Sequence, residues 1–175
     1  ISTLNIRDLK KQDVLIEELV VNHRDIKNIY PSSLNSVRIY TLINNEGTIE
    51  ILQALLRLGN GNSIVDNFHN NGIVCLIDVE TGIVKQPARD REMNEYLFHP
   101  KSNIQVVGFL IPKWKEVLKL VIKASKLYPT SRYIAWDIAI LDDRLEMIEG
   151  NYQGDPTILQ MFDKKGRYKE FKDKR

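Results

Sequence analysis

Asp137 stands inside an apolar run, with Tyr133-Ile134-Ala135-Trp136 before it and Ile138-Ala139-Ile140-Leu141 after it. A carboxylate in such a run is costly unless it is paired, hydrogen-bonded or bound to a cation. The segment Ile148-Glu149-Gly150-Asn151 follows, across the turn Asp142-Asp143-Arg144. Read as two adjacent strands, these segments bring Asp137, Glu149 and Asn151 near one another. Side chains alternate along a strand, so Glu149 and Asn151 project to one face. Two carboxylates and an amide carbonyl make a hard-oxygen set suited to Mg²⁺. The same residues also fit a hairpin whose polar side chains face water, and spacing alone leaves both readings open.

Arg38 poses a similar question. It lies in the run Val37-Arg38-Ile39-Tyr40-Thr41-Leu42-Ile43, where Val37 and Ile39 point the other way. A half-buried guanidinium needs an anion, and a phosphate or a structural carboxylate would serve. The stretch Gly59-Asn60-Gly61-Asn62-Ser63 is loop-forming but does not match a Walker A pattern, so a P-loop is excluded. His23, His69 and His99 are widely spaced, and no His-x-x-x-His or Cys-x-x-Cys pairing supports zinc. The single cysteine, Cys75, sits in the apolar run Gly72-Ile73-Val74-Cys75-Leu76-Ile77 and reads as a buried thiol. No Ser-His-Asp or Cys-His arrangement is apparent.

The elements that must hold these residues follow from periodicity. Asp13 to Val20 reads as a strand, and Asn22 to Tyr30 as a short helix ended by Pro31. Val37 to Ile43 is β-branched and aromatic, hence a strand, and Asn44-Asn45-Glu46-Gly47 turns it into a return strand from Thr48 to Leu58. Gly72 to Asp78 and Thr81 to Lys85 read as a second hairpin, and residues 86 to 105 as a polar, irregular excursion. From Lys113 to Leu127, Trp114, Val117, Leu118, Val121, Ile122 and Ser125 recur at spacings of three and four, between Pro112 and Pro129, which predicts the one long helix. Trp114 on its apolar face is assigned to the core. The Asp137 and Glu149 strands follow, then a short helix from Asp155 to Phe162. The sum is an α+β fold, a mostly antiparallel sheet with one long packed helix.

Composition bounds the class. The chain has 175 residues, 43% apolar and 27% charged, as expected of one globular domain. No apolar stretch approaches the roughly 20 residues that span a bilayer. A net charge of +2 is too small to argue for nucleic acid, and one cysteine with no secretory signal pattern makes a reducing cytoplasm the expected compartment. Residues 164–175 form a basic tail with seven Lys and Arg. We read the tail as a solvated or frayed terminus; contact with nucleic acid or an anionic membrane is the other reading.

The order of motifs carries a further signal. Ile16-Glu17-Glu18-Leu19-Val20, then Asn35-Ser36-Val37-Arg38-Ile39, Val65-Asp66-Asn67-Phe68-His69, Trp136-Asp137-Ile138 and Glu149-Gly150-Asn151 together resemble the ATP-grasp fold. The series is most similar to the branch described as sugar-transfer-associated ATP-grasp proteins, with His99-Pro100 ahead of Gly108 and Ile111-Pro112-Lys113-Trp114 as supporting signs. The resemblance runs from about Val14 to Gln160 and covers the C-terminal half of such an enzyme. Because the chain opens on Ile1, residues 1–163 are expected to be part of a longer protein, whose preceding lobe supplies phosphate-binding lysines and a flexible glycine-rich loop. There are departures. Asn35-Ser36 stands where the family commonly has Asn-Thr, and Lys101-Ser102 where it has an acid and threonine after His-Pro. A Gly-Gly pair is expected near Asn71-Gly72.

The resemblance implies ATP and Mg²⁺ as cofactors. Glu17, Glu18, Leu19 and Val20 would form the hinge that meets adenine, and Arg38 would meet phosphate. Arg57 would hold an anionic group, while Asp66, Asn67 and His69 would lie beside the reacting phosphate and His99 near substrate. Asp137, Glu149 and Asn151 would hold the metal, and Trp136 would either join the core or cover the nucleotide. The implied reaction is ATP-dependent ligation of a small carboxylate to an amine or sugar-linked acceptor through an acyl phosphate, in bacterial polysaccharide or cell-surface sugar biosynthesis. No nucleic-acid partner is expected. The alternative is a non-catalytic nucleotide- or metal-binding or interaction module.

Overall fold

A computed structural model describes residues 19–61, 68, 71–152 and 154–173. Its elements are α1 (Arg24–Ile29), β1 (Ser36–Ile43), β2 (Ile49–Leu58), β3 (Ile73–Ile77), β4 (Ala88–Arg89), β5 (Glu95–Tyr96), α2 (Trp114–Leu127), β6 (Tyr133–Ile140), β7 (Leu145–Asn151), α3 (Pro156–Gln160) and α4 (Tyr168–Asp173). The seven strands form one sheet in the order β5-β4-β3-β2-β1-β6-β7, with every pairing antiparallel. This is the α+β layout expected from the sequence.

Alternation along the strands divides the sheet into two faces. Val37 and Ile39 of β1, Leu56 and Leu58 of β2, Cys75 of β3 and Trp136 and Ile138 of β6 point to one side, where they pack with Val117 and Val121 of α2 and Ile26 and Ile29 of α1. The amphipathic period of α2 places its apolar stripe on that face. Trp114 packs there and donates its indole N–H to the Val79 carbonyl at 2.8 Å. Trp136 is also core, donating to the Thr41 hydroxyl at 2.9 Å and the Ser125 hydroxyl at 3.2 Å. Burial pushes the Cys75 thiol up to about 12, as for an inert core cysteine.

The opposite face carries Tyr40, Leu55, Val74 and Ala135, roofed in part by Ile158 and Leu159 of α3 with Met161 and Phe162 after it. Four side chains from four strands fasten this roof through its main-chain carbonyls. Tyr133 donates to Gly154 at 3.0 Å, Tyr40 to Asp155 at 3.3 Å, Gln53 to Leu159 at 3.2 Å and Arg89 to Met161 at 2.6 Å. Asp155 caps α3 by accepting the Thr157 N–H, and Pro156 opens it. Tyr133→Phe removes one of the four bonds and strands a carbonyl, so a loss of about 1 kcal/mol in stability is expected by denaturant titration.

The structure corrects two expectations. Thr81 to Lys85 is not a return strand. Ile77 and Val84 share a single bridge, with Ile83 and Lys85 bonded to Asp78 and Leu76, while Val84 and Gly82 bond to Phe109 and Ile111 on the other side. The place beside β3 goes to β4, inside the stretch read as irregular, and β5 extends the edge. Two-residue strands are too short to show a period of two. The tail includes a short helix, α4, on which Tyr168 is 76% exposed. The strand expected from Asp13 lies mostly outside the described residues, and Leu19 and Val20 carry no regular structure.

Candidate functional site

β1 lies between β2 and β6 at the middle of the sheet, and its register sets Arg38 directly opposite Asp137. Arg38 grips the carboxylate with both arms of its fork. Nε donates to Oδ1 at 2.7 Å and Nη2 donates to Oδ2. Arg57, at the end of β2, adds a third bond from Nη1 to Oδ2 at 2.9 Å. The side chains are only 13%, 11% and 4% exposed for Arg38, Arg57 and Asp137. Burial works against the charge on Arg38, but the hydrogen bonds and charge of Asp137 outweigh it and hold its pKa above the usual value. The Tyr40 hydroxyl is pushed up to about 12 by burial, partly offset by Arg38.

On the far side of β6, Asp137 pairs with Glu149 across the ladder, and Ala135 pairs with Asn151. A bulge between Asp137 and Ile138 shifts the register there, which places Glu149 and Asn151 on the face of Asp137. The Asn151 side-chain amide donates to Glu149 Oε1 at 3.0 Å. Between them, Gly150 turns to the other face, where a Cβ would come within 2.7 Å of the Trp136 ring. The Glu-Gly-Asn spacing thus meets two demands, polar groups on one face and close packing on the other.

A cleft of about 880 Å³ opens between residues 19–22, the turn at residues 31–34 and β7. Its walls include Leu19, Val20, Asn22, Ser33, Leu34 and Ile148. Leu34 leads into β1 and Arg38, and Ile148 precedes Glu149. Leu19 and Val21 expose apolar side chains. Among the described residues, none exchanges a hydrogen bond with the backbone of Leu19, Val20 or Val21.

Of the residues singled out in the sequence, Arg38, Arg57, Asp137, Glu149 and Asn151 therefore come together, and Leu19 and Val20 line the cleft. Glu17, Glu18, Asp66, Asn67 and His69 lie outside the described residues. His99 is fully buried and both ring nitrogens have main-chain partners. Sequence reasoning passed over Asn35 as anything more than a motif position. It is fully buried; its Oδ1 accepts from the Gly59 N–H at 3.1 Å and the Ser33 hydroxyl at 2.9 Å, and its Nδ2 donates to the Tyr30 carbonyl at 2.7 Å. A buried asparagine just ahead of an apolar strand was the available signal, since such an amide must be satisfied on every side.

Residues 2–173 match the family described as sugar-transfer associated ATP-grasp. The chain belongs to that family. No curated protein and no solved structure matches it. Sugar-transfer associated ATP-grasp proteins are of an ATP-dependent, ligase type, and the ATP-grasp fold generally works with ATP and Mg²⁺. No helix among the described residues is long and apolar enough to cross a membrane.

The donor chemistry at this corner fits such an ion. Asp137 and Glu149 are hard-oxygen donors side by side, with the Asn151 amide next to them. A carboxylate has about four lone-pair positions, and three donors occupy Asp137. One position is left, and a cation would compete with the arginines for the rest. Among the described residues no three His, Cys, Asp or Glu side chains cluster as a metal group. A cation here would complete its shell from an amide, water or phosphate, as Mg²⁺ commonly does.

Proposed function

We propose that this chain serves an ATP- and Mg²⁺-dependent ligase that joins a small carboxylate to an amine or similar nucleophile, in the building of polysaccharide or cell-surface sugar. The observation that carries the reading is the buried Arg38–Asp137–Arg57 cluster with Glu149 opposite Asp137 across the ladder. Leu19 and Val20, with Glu17 and Glu18 before them, meet the adenine through main-chain groups, since an apolar wall with free backbone polar groups suits a flat heterocycle. Arg38 and Arg57 orient the triphosphate by their planar forks. Asp137, Glu149 and Asn151 hold Mg²⁺, which when bound neutralises charge on the phosphates.

In the reaction, a substrate carboxylate oxygen attacks the γ-phosphorus and ADP leaves. The nucleophile then attacks the acyl carbon of the resulting acyl phosphate and expels phosphate. No side-chain nucleophile is required, only positioning and charge. Arg57 and Asn67 lie in the sequence on either side of the glycine-rich loop and steady the transferred phosphoryl group. Asp66 and His69 approach the substrate.

The test is calorimetry of the full-length protein with ATP, with and without Mg²⁺, beside Glu149→Gln. Glu149 is exposed, so this change leaves the buried cluster intact. Magnesium-dependent ATP binding should weaken about tenfold, corresponding to about 1.4 kcal/mol. If the parent binds no nucleotide, or the variant binds equally well with magnesium, the ligase reading of this corner fails. The latter result would favour a non-catalytic module in which Asp137 serves the two arginines alone.

A further inference from the structure

The His-Pro motif is placed to do something other than meet substrate. His99 Nδ1 accepts the main-chain N–H groups of Lys101 at 3.2 Å and Ser102 at 3.3 Å. The proton of the neutral ring therefore sits on Nε2, which donates to the Gly59 carbonyl at 2.8 Å. The ring stacks on Tyr30, with centroids 4.6 Å apart at 23°. The Tyr30 hydroxyl donates to the Gly61 carbonyl. On its other side, Gly59 donates its N–H to Asn35. A Cβ on Gly59 would come within 2.3 Å of the Ser33 Oγ, so the peptide is also packed closely.

Gly59 is thus held by both of its polar groups, one from the residue ahead of β1 and one from the 99–102 loop. It follows directly on Leu58, the last residue of β2, and stands two positions after Arg57. The same clamp joins the ends of the two strands that carry Arg38 and Arg57.

We propose that His99 is a positioning residue that, through Gly59, fixes the end of β2 and hence the aim of Arg57 at Asp137, without itself touching the nucleotide. What the cluster binds rests on the function proposed above; the clamp does not. Few other side chains meet the site's demands. It needs an acceptor at one edge, a donor at the other and a flat face for Tyr30. Burial lowers the His99 pKa, which keeps the ring neutral and Nδ1 an acceptor. A protonated ring would turn a donor toward the N–H groups of Lys101 and Ser102.

The experiment compares the full-length protein with His99→Gln, His99→Asn and His99→Phe. Glutamine keeps an N–H near the Nε2 position, asparagine keeps an acceptor near Nδ1, and phenylalanine keeps only the stack on Tyr30. Two readouts are taken at a temperature where all four proteins are folded, namely the NMR signal of the Arg57 guanidinium and the affinity for ATP with Mg²⁺. The Arg57 signal should stay in place in the glutamine variant and move in the other two. Affinity should stay within about threefold of the parent for glutamine and fall about tenfold for asparagine and phenylalanine, the scale of one misplaced hydrogen-bonding group. An Arg57 signal unmoved in His99→Phe, or moved alike in His99→Gln and His99→Phe, overturns the proposal. If the parent binds no ATP, the proposed function fails, and the Arg57 signal still decides the clamp.

Discussion

Asp137→Ala is expected to lower stability by about 3–5 kcal/mol, because it removes the buried carboxylate that both the Arg38 and Arg57 guanidinium groups hold. Arg38 and Arg57 are nearly as enclosed as the carboxylate they hold. At roughly 2–4 °C per kcal/mol for a chain of this size, the melting temperature should fall by about 6–20 °C. Asp137→Asn should suffer a smaller but similar loss, since it keeps the shape and one acceptor oxygen but not the charge. The informative control is the triple change of Arg38→Met, Asp137→Leu and Arg57→Met. Apolar replacement of a whole buried ion cluster is often neutral or stabilising. The triple variant should therefore regain most of the stability that Asp137→Ala loses, while ATP affinity with Mg²⁺ stays lost. Thermal melts and calorimetry on the three proteins separate the two roles. Recovery of both properties would mean that the cluster only holds the fold.

That cluster also shows where the sequence was legible and where it was not. Asp137 in an apolar run announced a group that needed a partner, and Arg38 announced the same need from its own strand. Their partnership was hidden, because it spans 99 positions and depends on β1 lying beside β6. The Arg57 contact spans 80 positions and depends on the end of β2. Spacing alone cannot distinguish a carboxylate neutralised by arginine from one awaiting a cation. Asp137 and Glu149 can lie side by side without a cation, since two arginines already supply positive charge.

Local patterns translated well wherever one face was buried. β1, β2, α2 and the β6–β7 hairpin all appear where period and turn residues placed them, within a residue or two at their ends. The failures fall where pairing is decided at a distance. Thr81 to Lys85 had the composition of a strand, yet it meets β3 through one bridge only and shares its other edge with the segment around Phe109. β4 and β5 exist because β3 has an open edge, not because of their own residues. The α3 roof was visible as a short helix, but its fastening by Tyr40, Gln53, Arg89 and Tyr133 becomes apparent only once four strands share a face.

Asn35→Ala should be the second large effect, about 3 kcal/mol by denaturant titration. Its side chain satisfies the Gly59 N–H, the Ser33 hydroxyl and the Tyr30 carbonyl in a fully buried place. Each buried group left without a partner costs about 1–3 kcal/mol, and the Ser33 hydroxyl can limit its share by rotating. The reciprocal bonds with Asn22, both 2.7 Å, run through the Asn35 main chain and survive the change. The loss is therefore confined to the clamp on Gly59 and to the turn that lines the cleft. Asn35→Asp distinguishes the donor from the acceptor role. Its carboxylate keeps the acceptor for Gly59 and Ser33 but faces the Tyr30 carbonyl with an oxygen. Burial and that carbonyl both favour the protonated acid, so its pKa in the folded protein rises above the unfolded value. A group with a raised folded pKa contributes stability at low pH and loses it as pH climbs through that value. Asn35→Asp should thus recover relative to the parent as pH falls from 7 towards 5, whereas Asn35→Ala should not. Equal pH profiles for the two variants would mean that the bond to Tyr30 carries little, and that Asn35 matters chiefly through its grip on Gly59.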